Sequence, residues 1–420
     1  MTSVTGIKIA IERVCVGLYV RLPLSWSDHP FLLNQFKIKD EEQLKLIRGL
    51  NINYLYLIPE KSDCEPLPIS AAKEARSPAI DDASPEMDKL WQEKTNRIER
   101  LKNYKRQIQR CEKNYERSLA QLRSVVTKIK NRPVTAVEEA DQLVDSMVEM
   151  LLSTEETALH LMNDRDDGES IYFHSLNVAV LAMMLAKAAK MNSHDIKIIG
   201  LGALFHDIGK LKIPTAITRK TDPLTDPELN YLKLHTKYGV ELASLSDRFP
   251  DEALPILEQH HELIDGSGYP QGLKGDDINP YAKLVAVVNA YDNLCHPQNP
   301  KKQRTPFSAL SFLFKKHKEQ YHPEYLNLFV KMMGVYPPGS VVQLSNQQLG
   351  MVISVNSNKL LFPNILLYDP SVPSNEAPIL DLEHSDMKIE RAIPPNKLPD
   401  KVYNYLNPRV RVSYYFDPNS

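Results

Sequence analysis

Apolar positions along the chain change period from one stretch to the next, and each change marks a different kind of element. Residues 7–22, "IKIAIERVCVGLYVRL", alternate apolar and polar side chains around a Gly turn, a period of two that predicts strand. "EEQLKLIRGLNINYLYLI" at 41–58 reads as a helix followed by a strand, so residues 1–60 are expected to form a small α+β domain. Residues 61–87 carry Pro, Ser, Asp and Glu with little apolar content, the texture of a mobile linker. Over 88–133 one long helical pattern follows, with Ile98, Leu101, Ile108, Cys111, Tyr115, Leu119, Leu122, Val126 and Ile129 at steps of three, four and seven. Lys and Arg outnumber Asp and Glu over 88–131 by 13 to 5, which would let the helix touch nucleic acid. A heptad-like seam with a solvated charged face is the plainer reading, and it implies a stalk or a homodimer contact over 88–131. Pro133 stops the pattern.

Residues 134–335 keep apolar positions at helical spacing, with breaks at Pro214, Pro223, Pro227, Pro250, Gly266, Gly268 and Pro280. After Gly334 the texture turns to "GSVVQLSNQQLGMVISV" and "LLFPNILLYD", so a β-rich module is expected over 336–420. The expected fold is therefore mainly α, with a small α+β N-terminal domain and a small β-rich C-terminal module. No internal repeat is visible.

Composition narrows the function classes. Hydrophobic residues make up 42% and charged residues 25%, ordinary for a globular protein, and the formal net charge of -2 removes general nucleic-acid or membrane-surface binding. No run of about 18 apolar residues is seen, and Met1–Ala10 lacks the pattern of a secretory signal, so the expectation is a cytoplasmic protein without a membrane span. The four cysteines, Cys15, Cys64, Cys111 and Cys295, lie far apart in the chain without CxxC spacing, which argues against a disulfide framework and a structural zinc site.

The chemistry concentrates between His174 and Asp292. His174 shares a helix face with Val178, Leu181 and Leu185, which points it inward. A single histidine so placed is usually only a satisfied core residue. His206 and Asp207 end the apolar run "IKIIGLGALF", and delivering an imidazole and a carboxylate into a core is costly unless something pairs with them. His235 lies in "YLKLHTKYGVELA", and His260 and His261 end "PDEALPILEQHH". Five of the twelve histidines thus take inward or terminal positions on four separate predicted helices. Four or five buried imidazoles with one carboxylate suit divalent Fe, Mn or Zn, and their number suggests two ions. Two ions about 3.5–4 Å apart clamp a phosphate and lower the pKa of a water between them.

"HDIGK" at 206–210, "HH" at 260–261 and "HELIDGSGYP" at 261–270 resemble the HD-GYP subgroup of the HD phosphohydrolases, over about residues 170–340. "GLYVRLPLSWSDHPF" at 17–31 resembles the small domain of unknown function that often precedes HD-GYP in bacteria. The resemblance implies hydrolysis of cyclic di-GMP to the linear dinucleotide pGpG, and in some members to GMP, within bacterial second-messenger signalling. It places His174, His206, Asp207, His235, His260 and His261 on the metal ligands, with Asp207 bridging and catalytic. Lys210 would donate a proton to the leaving oxygen or hold the phosphate; a helix C-terminal cation is the equal alternative. Asp265, Gly268, Tyr269 and Pro270 would approach the substrate, with Tyr269 stacking on a guanine. Lys301 and Lys302, beside Arg304 in "NPKKQRTPF", are offered to the phosphates, against the alternative of a solvated surface loop.

The sequence departs from the family pattern in "AKLVAVVNAYDNLCHP", where Asn289 stands at the last ligand position and Asp292 three residues later. Asparagine binds a hard metal through its carbonyl but is neutral and weaker than carboxylate. Three outcomes stay open: an asparagine ligand that works, Asp292 replacing it directly or through water, or a degenerate copy that binds without cutting. The expectation is retained metal binding with reduced hydrolysis. Some family members add a glutamate four residues before the first histidine; here that position is Ser170, with Glu169 one step off, so two ions are expected rather than three. The competing reading is a sensor or scaffold that binds cyclic di-GMP, or a signalling protein through the GYP surface.

Overall fold

The computed structural model describes residues 6–25, 28–31, 34–68, 85–153, 158–162, 170–356, 362–370, 372, 374, 377–385, 387–394, 397–406 and 413–417. The chain divides into two compact units, Met1–Lys105 and Arg106–Ser420. Most of the expected 61–87 linker, and Glu169, lie outside the described residues.

The first unit holds β1 (Ile7–Ala10), β2 (Tyr19–Arg21), β3 (Gln35–Lys37), α1 (Glu41–Arg48) and β4 (Tyr54–Leu57), in a four-stranded antiparallel sheet of order β1-β4-β2-β3. Asp40 caps α1 by accepting from Gln43 N, and Leu44 and Ile47 face the sheet. Val14, Leu18, Val20, Ile38, Ile47 and Leu55 are fully buried together, so the alternation along 7–22 does fill a core.

A 44-residue helix, α2 (Pro85–Lys128), follows, then α3 (Pro133–Leu152) with Pro133 in its first turn. Cys111, Tyr115, Leu119, Leu122 and Ile129 of the expected stripe are buried within this chain, and Val125 is buried where Val126, half-buried, was expected. Cys111 Sγ donates to Phe416 O, and Ser118 and Tyr415 share a hydrogen bond of 2.9 Å. This stretch of the seam therefore packs on the C-terminal strand of its own chain. The side chains of Ile98 and Leu101 lie outside the described residues.

The second unit continues with β5 (Ala158–Met162), α4 (Ser170–Ala188), α5 (Ser193–Phe205), α6 (Thr215–Thr218), α7 (Asp226–Lys233), α8 (His235–Ala243), α9 (Leu254–Gln259), α10 (Pro280–Cys295), α11 (Pro306–Lys316) and α12 (Pro323–Met333). After these come β6 (Val341–Leu344), β7 (Leu349–Asn356), β8 (Asn364–Leu367), β9 (Ile379–Asp381), β10 (Ile389–Ala392), α13 (Asp400–Leu406) and β11 (Ser413–Asp417). The fold is thus mainly α, with strands at both ends. The C-terminal strands recruit β5 from inside the helical region: β5 pairs with both β7 and β11 in one seven-stranded sheet. The described strands of the C-terminal region are thereby paired with a strand from inside the helical region.

Helices α4 and α5 form the centre. Residues Ile171–Ala188 have the length and mean hydropathy, 1.4, of a membrane span, yet 72% of that stretch is buried inside the protein. Its apolar character is explained by packing against α5, α10 and β11 on several sides at once. Helix α5 is capped by Asn192 and buried from Ile198 to Phe205, so it drives His206 into the interior at its end.

Candidate metal centre and substrate cavity

Every expected histidine reaches one place. His174 comes from the first turn of α4, His206 and Asp207 from the end of α5, His235 from the start of α8, and His260 and His261 from the end of α9. The short 3-10 helix Ile208–Lys212 turns the chain between His206 and α6, and it packs closely on α8. Gly209 makes this possible, because a Cβ there would overlap the carbonyl oxygen of His235.

Asp207 is the hub. Its Oδ2 lies 3.4 Å from His174 Nε2 and 3.5 Å from His206 Nε2, and its Oδ1 lies 3.4 Å from His235 Nε2 and 3.9 Å from His260 Nε2. One carboxylate oxygen thus serves each side. Two ligand sets result: His174, His206 and Asp207, and His235, His260, His261 and Asp207, each with donor atoms within 4.8 Å of one another.

The tautomers follow from hydrogen bonding. His206 Nδ1 donates to Ala203 O at 2.7 Å, His235 Nδ1 to Leu232 O at 2.7 Å, and His260 Nδ1 to Leu257 O at 3.0 Å. A carbonyl only accepts, so each Nδ1 carries the proton and each Nε2 presents a lone pair to the centre. Burial pushes His206 down to about 4 and His235 and His260 to about 3, so these rings are neutral at ordinary pH. The bare Nε2 atoms of His235 and His260 face each other at 3.3 Å, and the buried Oδ1 of Asp207 beside them accepts no hydrogen bond. Lone pairs and an unpaired carboxylate oxygen converging in the interior repel unless a cation lies among them. The residues present therefore fit a divalent metal, with Asp207 able to bridge two.

Asp292 stands behind His174. His174 Nδ1 donates to Asp292 Oδ2 at 2.6 Å, while Asp292 Oδ1 accepts from Asn177 Nδ2 at 3.1 Å and lies 3.1 Å from His296 Nδ1. It orients an imidazole from behind, as second-layer carboxylates do around metal-bound histidines, and does not replace Asn289. Burial works against charge on His174, but hydrogen bonds to Asp207 and Asp292 overcome it and raise the ring to about 9. Asn177 in turn accepts from Tyr414 N at 2.8 Å, tying β11 to this carboxylate.

Lys210 Nζ donates to Asp207 Oδ2 at 2.5 Å and stays partly exposed. Burial would raise the Asp207 carboxyl, but this ammonium and the facing imidazoles hold it well below the usual range. Glu262, beside the ligands, anchors the loop that follows: its carboxylate accepts from the backbone N–H of Gln271, Gly272 and Leu273. Gly268 packs so closely on Leu263 that a Cβ would overlap its backbone nitrogen. Tyr269 stacks on His261, with ring centroids 4.6 Å apart and planes 20° apart, and Lys233 Nζ lies 5.2 Å from the tyrosine centroid. The ring expected to take a guanine is therefore engaged with His261. Asp265 accepts from the backbone N–H and hydroxyl of Ser267 and is exposed, as is Pro270.

A cavity of about 430 Å³ opens beside His260 and His261, lined also by Tyr269, Asn289, Asn293, Phe312, His317 and Tyr321. Asn289 is buried and its Oδ1 accepts from Asn293 Nδ2 at 2.7 Å. The Arg304 guanidinium stacks 3.8 Å from the Phe312 centroid. Lys301 and Lys302 are exposed on a short 3-10 helix and do not line the cavity. Phe312, His317 and Tyr321 escaped the sequence reading because aromatics in "FSALSFLFKKHKEQYH" look like core positions until the fold turns them toward a hole.

Residues 6–140 match the family model of a domain of unknown function (DUF3391), and residues 146–325 match that of the HD domain. The chain is 26% identical to a cyclic di-GMP phosphodiesterase of Pseudomonas aeruginosa, over 86% of this chain and 84% of that protein. It is 32% identical to a cyclic di-GMP phosphodiesterase response regulator of Xanthomonas campestris pv. campestris, over 51% of this chain and 56% of that one. A 3'3'-cGAMP-specific phosphodiesterase of Vibrio cholerae is 28% identical over 45% of this chain and 36% of its own length. The chain is thus an HD-domain protein whose HD domain, residues 146–325, follows a DUF3391 domain.

Proposed function

We propose that this chain is a phosphodiesterase of the HD-GYP type that uses two divalent transition-metal ions to hydrolyse cyclic di-GMP to pGpG, and in part to GMP. The observation that carries the reading is the convergence of neutral imidazole lone pairs on the two oxygens of Asp207, beside an aromatic cavity. Relatives named as cyclic di-GMP phosphodiesterases support the substrate class. His174, His206 and Asp207 would hold one ion, and His235, His260, His261 and Asp207 the other. Bound there, the ions would polarise the phosphodiester and make water acidic enough to attack near neutral pH.

The chain's own residues supply the rest. Asp292 and the carbonyls of Ala203, Leu232 and Leu257 fix the imidazole rings before substrate arrives. Tyr269 does the same for His261 through stacking. Lys210 keeps a proton at Nζ next to the centre, where it can be given to the departing ribose oxygen or held against a phosphate oxygen. The cavity is within the size range of small-ligand sites, roughly 300–1,000 Å³, and Phe312 and Tyr321 offer faces on which a purine stacks.

A second reading, a sensor that binds the dinucleotide without cutting it, is favoured by Asn289, which puts a neutral amide in the wall of the cavity that His260 and His261 also line. Metal content and turnover of cyclic di-GMP and 3'3'-cGAMP by the wild type and Asn289→Asp separate the two. The phosphodiesterase reading expects about two equivalents of metal, measurable pGpG from the wild type, and roughly tenfold or more gain in metal affinity in the variant. Binding of cyclic di-GMP with no product from either protein establishes the sensor. Turnover of 3'3'-cGAMP alone moves the substrate while keeping the chemistry.

A further inference from the structure

The first unit contains a pair of thiols that the chain order conceals. Cys15 and Cys64 lie 49 residues apart, yet their Sγ atoms are 3.7 Å from each other and both are free thiols. Cys15 follows the short 3-10 helix Ile11–Arg13, and Cys64 follows the one at Pro59–Lys61. Residues 62–67 run as a strap along residues 13–19. Tyr19 N donates to Ser62 Oγ, Asp63 N to Gly17 O, Leu67 N to Arg13 O, and Arg13 Nε to Leu67 O, all at 2.8–2.9 Å. Lys37 adds an ion pair to Asp63 at 2.7 Å.

These bonds bracket the sulfurs on both sides and hold the two backbones next to each other. Neighbouring hydrogen-bonded backbones lie about 5 Å apart, inside the roughly 4.4–6.8 Å that a disulfide spans between Cα atoms. Gly17, at φ +97°, leaves the space that the Cys64 sulfur fills: a Cβ there would lie 3.1 Å from it. The histidine and carboxylate groups that converge closely enough to hold an ion, among the described residues, are the two sets sharing Asp207, so this pair is not part of such a cluster.

We propose that Cys15 and Cys64 are a reversible dithiol–disulfide site that latches the 62–67 strap to the sheet, with a peroxide as the oxidant. The exposed Cys64 sulfur attacks hydrogen peroxide, the O–O bond breaks, and one water leaves as a sulfenic acid forms. The Cys15 sulfur then attacks the Cys64 sulfur, the S–O bond breaks, and the second water leaves with the Cys15 proton. Two thiols and one peroxide give one disulfide and two waters, a two-electron oxidation shared by the two sulfurs. The order follows exposure, since Cys64 is open to solvent and Cys15 only partly so. Burial, followed by the neighbouring Cys64, pushes the Cys15 thiol up to about 11, which also leaves the first attack to Cys64.

The test treats the full chain with stoichiometric hydrogen peroxide, alkylates what remains, and maps the thiols by mass spectrometry. A cross-linked Cys15–Cys64 peptide pair lacking two hydrogens, restored by reductant, is expected, with the buried Cys111 and Cys295 still alkylated after denaturation. In Cys15→Ser the sulfenic acid on Cys64 should persist and over-oxidise, because nothing resolves it. Limited trypsinolysis reads the latch, with cleavage after Lys61 slowing about tenfold on oxidation. Wild-type Cys64 ending as a sulfinic acid while Cys15 remains alkylatable overturns the site. A cross-link that leaves cleavage after Lys61 at the reduced rate overturns the latch.

Discussion

The two halves of the histidine cluster share Asp207 and are built differently around it. In the His174 half, the ring is braced by a carboxylate, Asp292, and its Nε2 meets His206 Nε2 at 3.1 Å. With His174 raised to about 9, that ring carries a proton on Nε2 in the absence of metal, shared between Asp207 Oδ2 and the bare nitrogen of His206. In the His235 half, the His235 and His260 rings lean on backbone carbonyls, and their two Nε2 atoms, 3.3 Å apart, are bare. A proton satisfies the first half and not the second. The lesson is that identical ligand types do not make equivalent sites: what stands behind each imidazole decides whether protons compete with metal there.

The largest effect should come from removing what the halves share. Asp207→Asn takes the anionic hub from both, so metal content should fall toward zero and kcat/KM by more than about 100-fold, since changes one layer further out already cost about 10–100-fold. Retention of one full equivalent of metal would show that one half stands without the bridge. Next comes the brace. Asp292→Asn keeps the shape but weakens the orientation of His174, and should lower metal affinity by roughly 10–100-fold in that half alone. Titration with metal, followed by calorimetry, should then show one tight and one weakened site. Equal weakening of both would show that Asp292 acts on the two halves alike.

The third effect is one of pH. A ring raised to about 9 is protonated at pH 7, so metal entering the His174 half must displace a proton, and its affinity rises with pH up to about 9. His235 and His260, depressed to about 3, are neutral well below pH 6 and offer no such competition. Between pH 8 and 6 the first half should weaken by about tenfold per unit for one displaced proton, while the second holds constant. Metal equivalents retained against a chelator across that range check it; a uniform loss would show that the halves titrate together.

The convergence of the candidate ligands was legible in the sequence because each histidine lies on the apolar face or at an end of a helical run, and a helix period is enough to say which way such a residue faces. What stands behind the ligands was not. Asn289 and Asp292 are three apart on one helix, so spacing alone puts both on the same face, and only the packing of α10 on α4 assigns Asp292 to His174 Nδ1. The same limit applies to Cys15 and Cys64, brought together by loop hydrogen bonds across 49 residues, and to β5 and β11, which pair across some 250 residues. Tyr269 was recognised as important, but a sequence cannot show that its ring already lies on His261.

The smallest effect tests how far the brace of the His174 half extends. Asn177 links two groups that otherwise have no reason to meet: it donates to Asp292 Oδ1 and accepts from Tyr414 N on β11. Asn177→Leu leaves the Tyr414 N–H buried without this acceptor, and Asp292 keeps His174 and His296. An unsatisfied buried donor costs about 1–3 kcal/mol. For a unit of this size, 1 kcal/mol lowers Tm by roughly 2–4 °C or less, so a drop of several degrees is expected. Because the contact to His174 is intact, kcat/KM should fall only a few-fold, far less than in Asp292→Asn. A loss as large as that of Asp292→Asn would mean that the C-terminal strand is itself part of the brace, and that the first half of the centre depends on a segment more than a hundred residues beyond its last ligand.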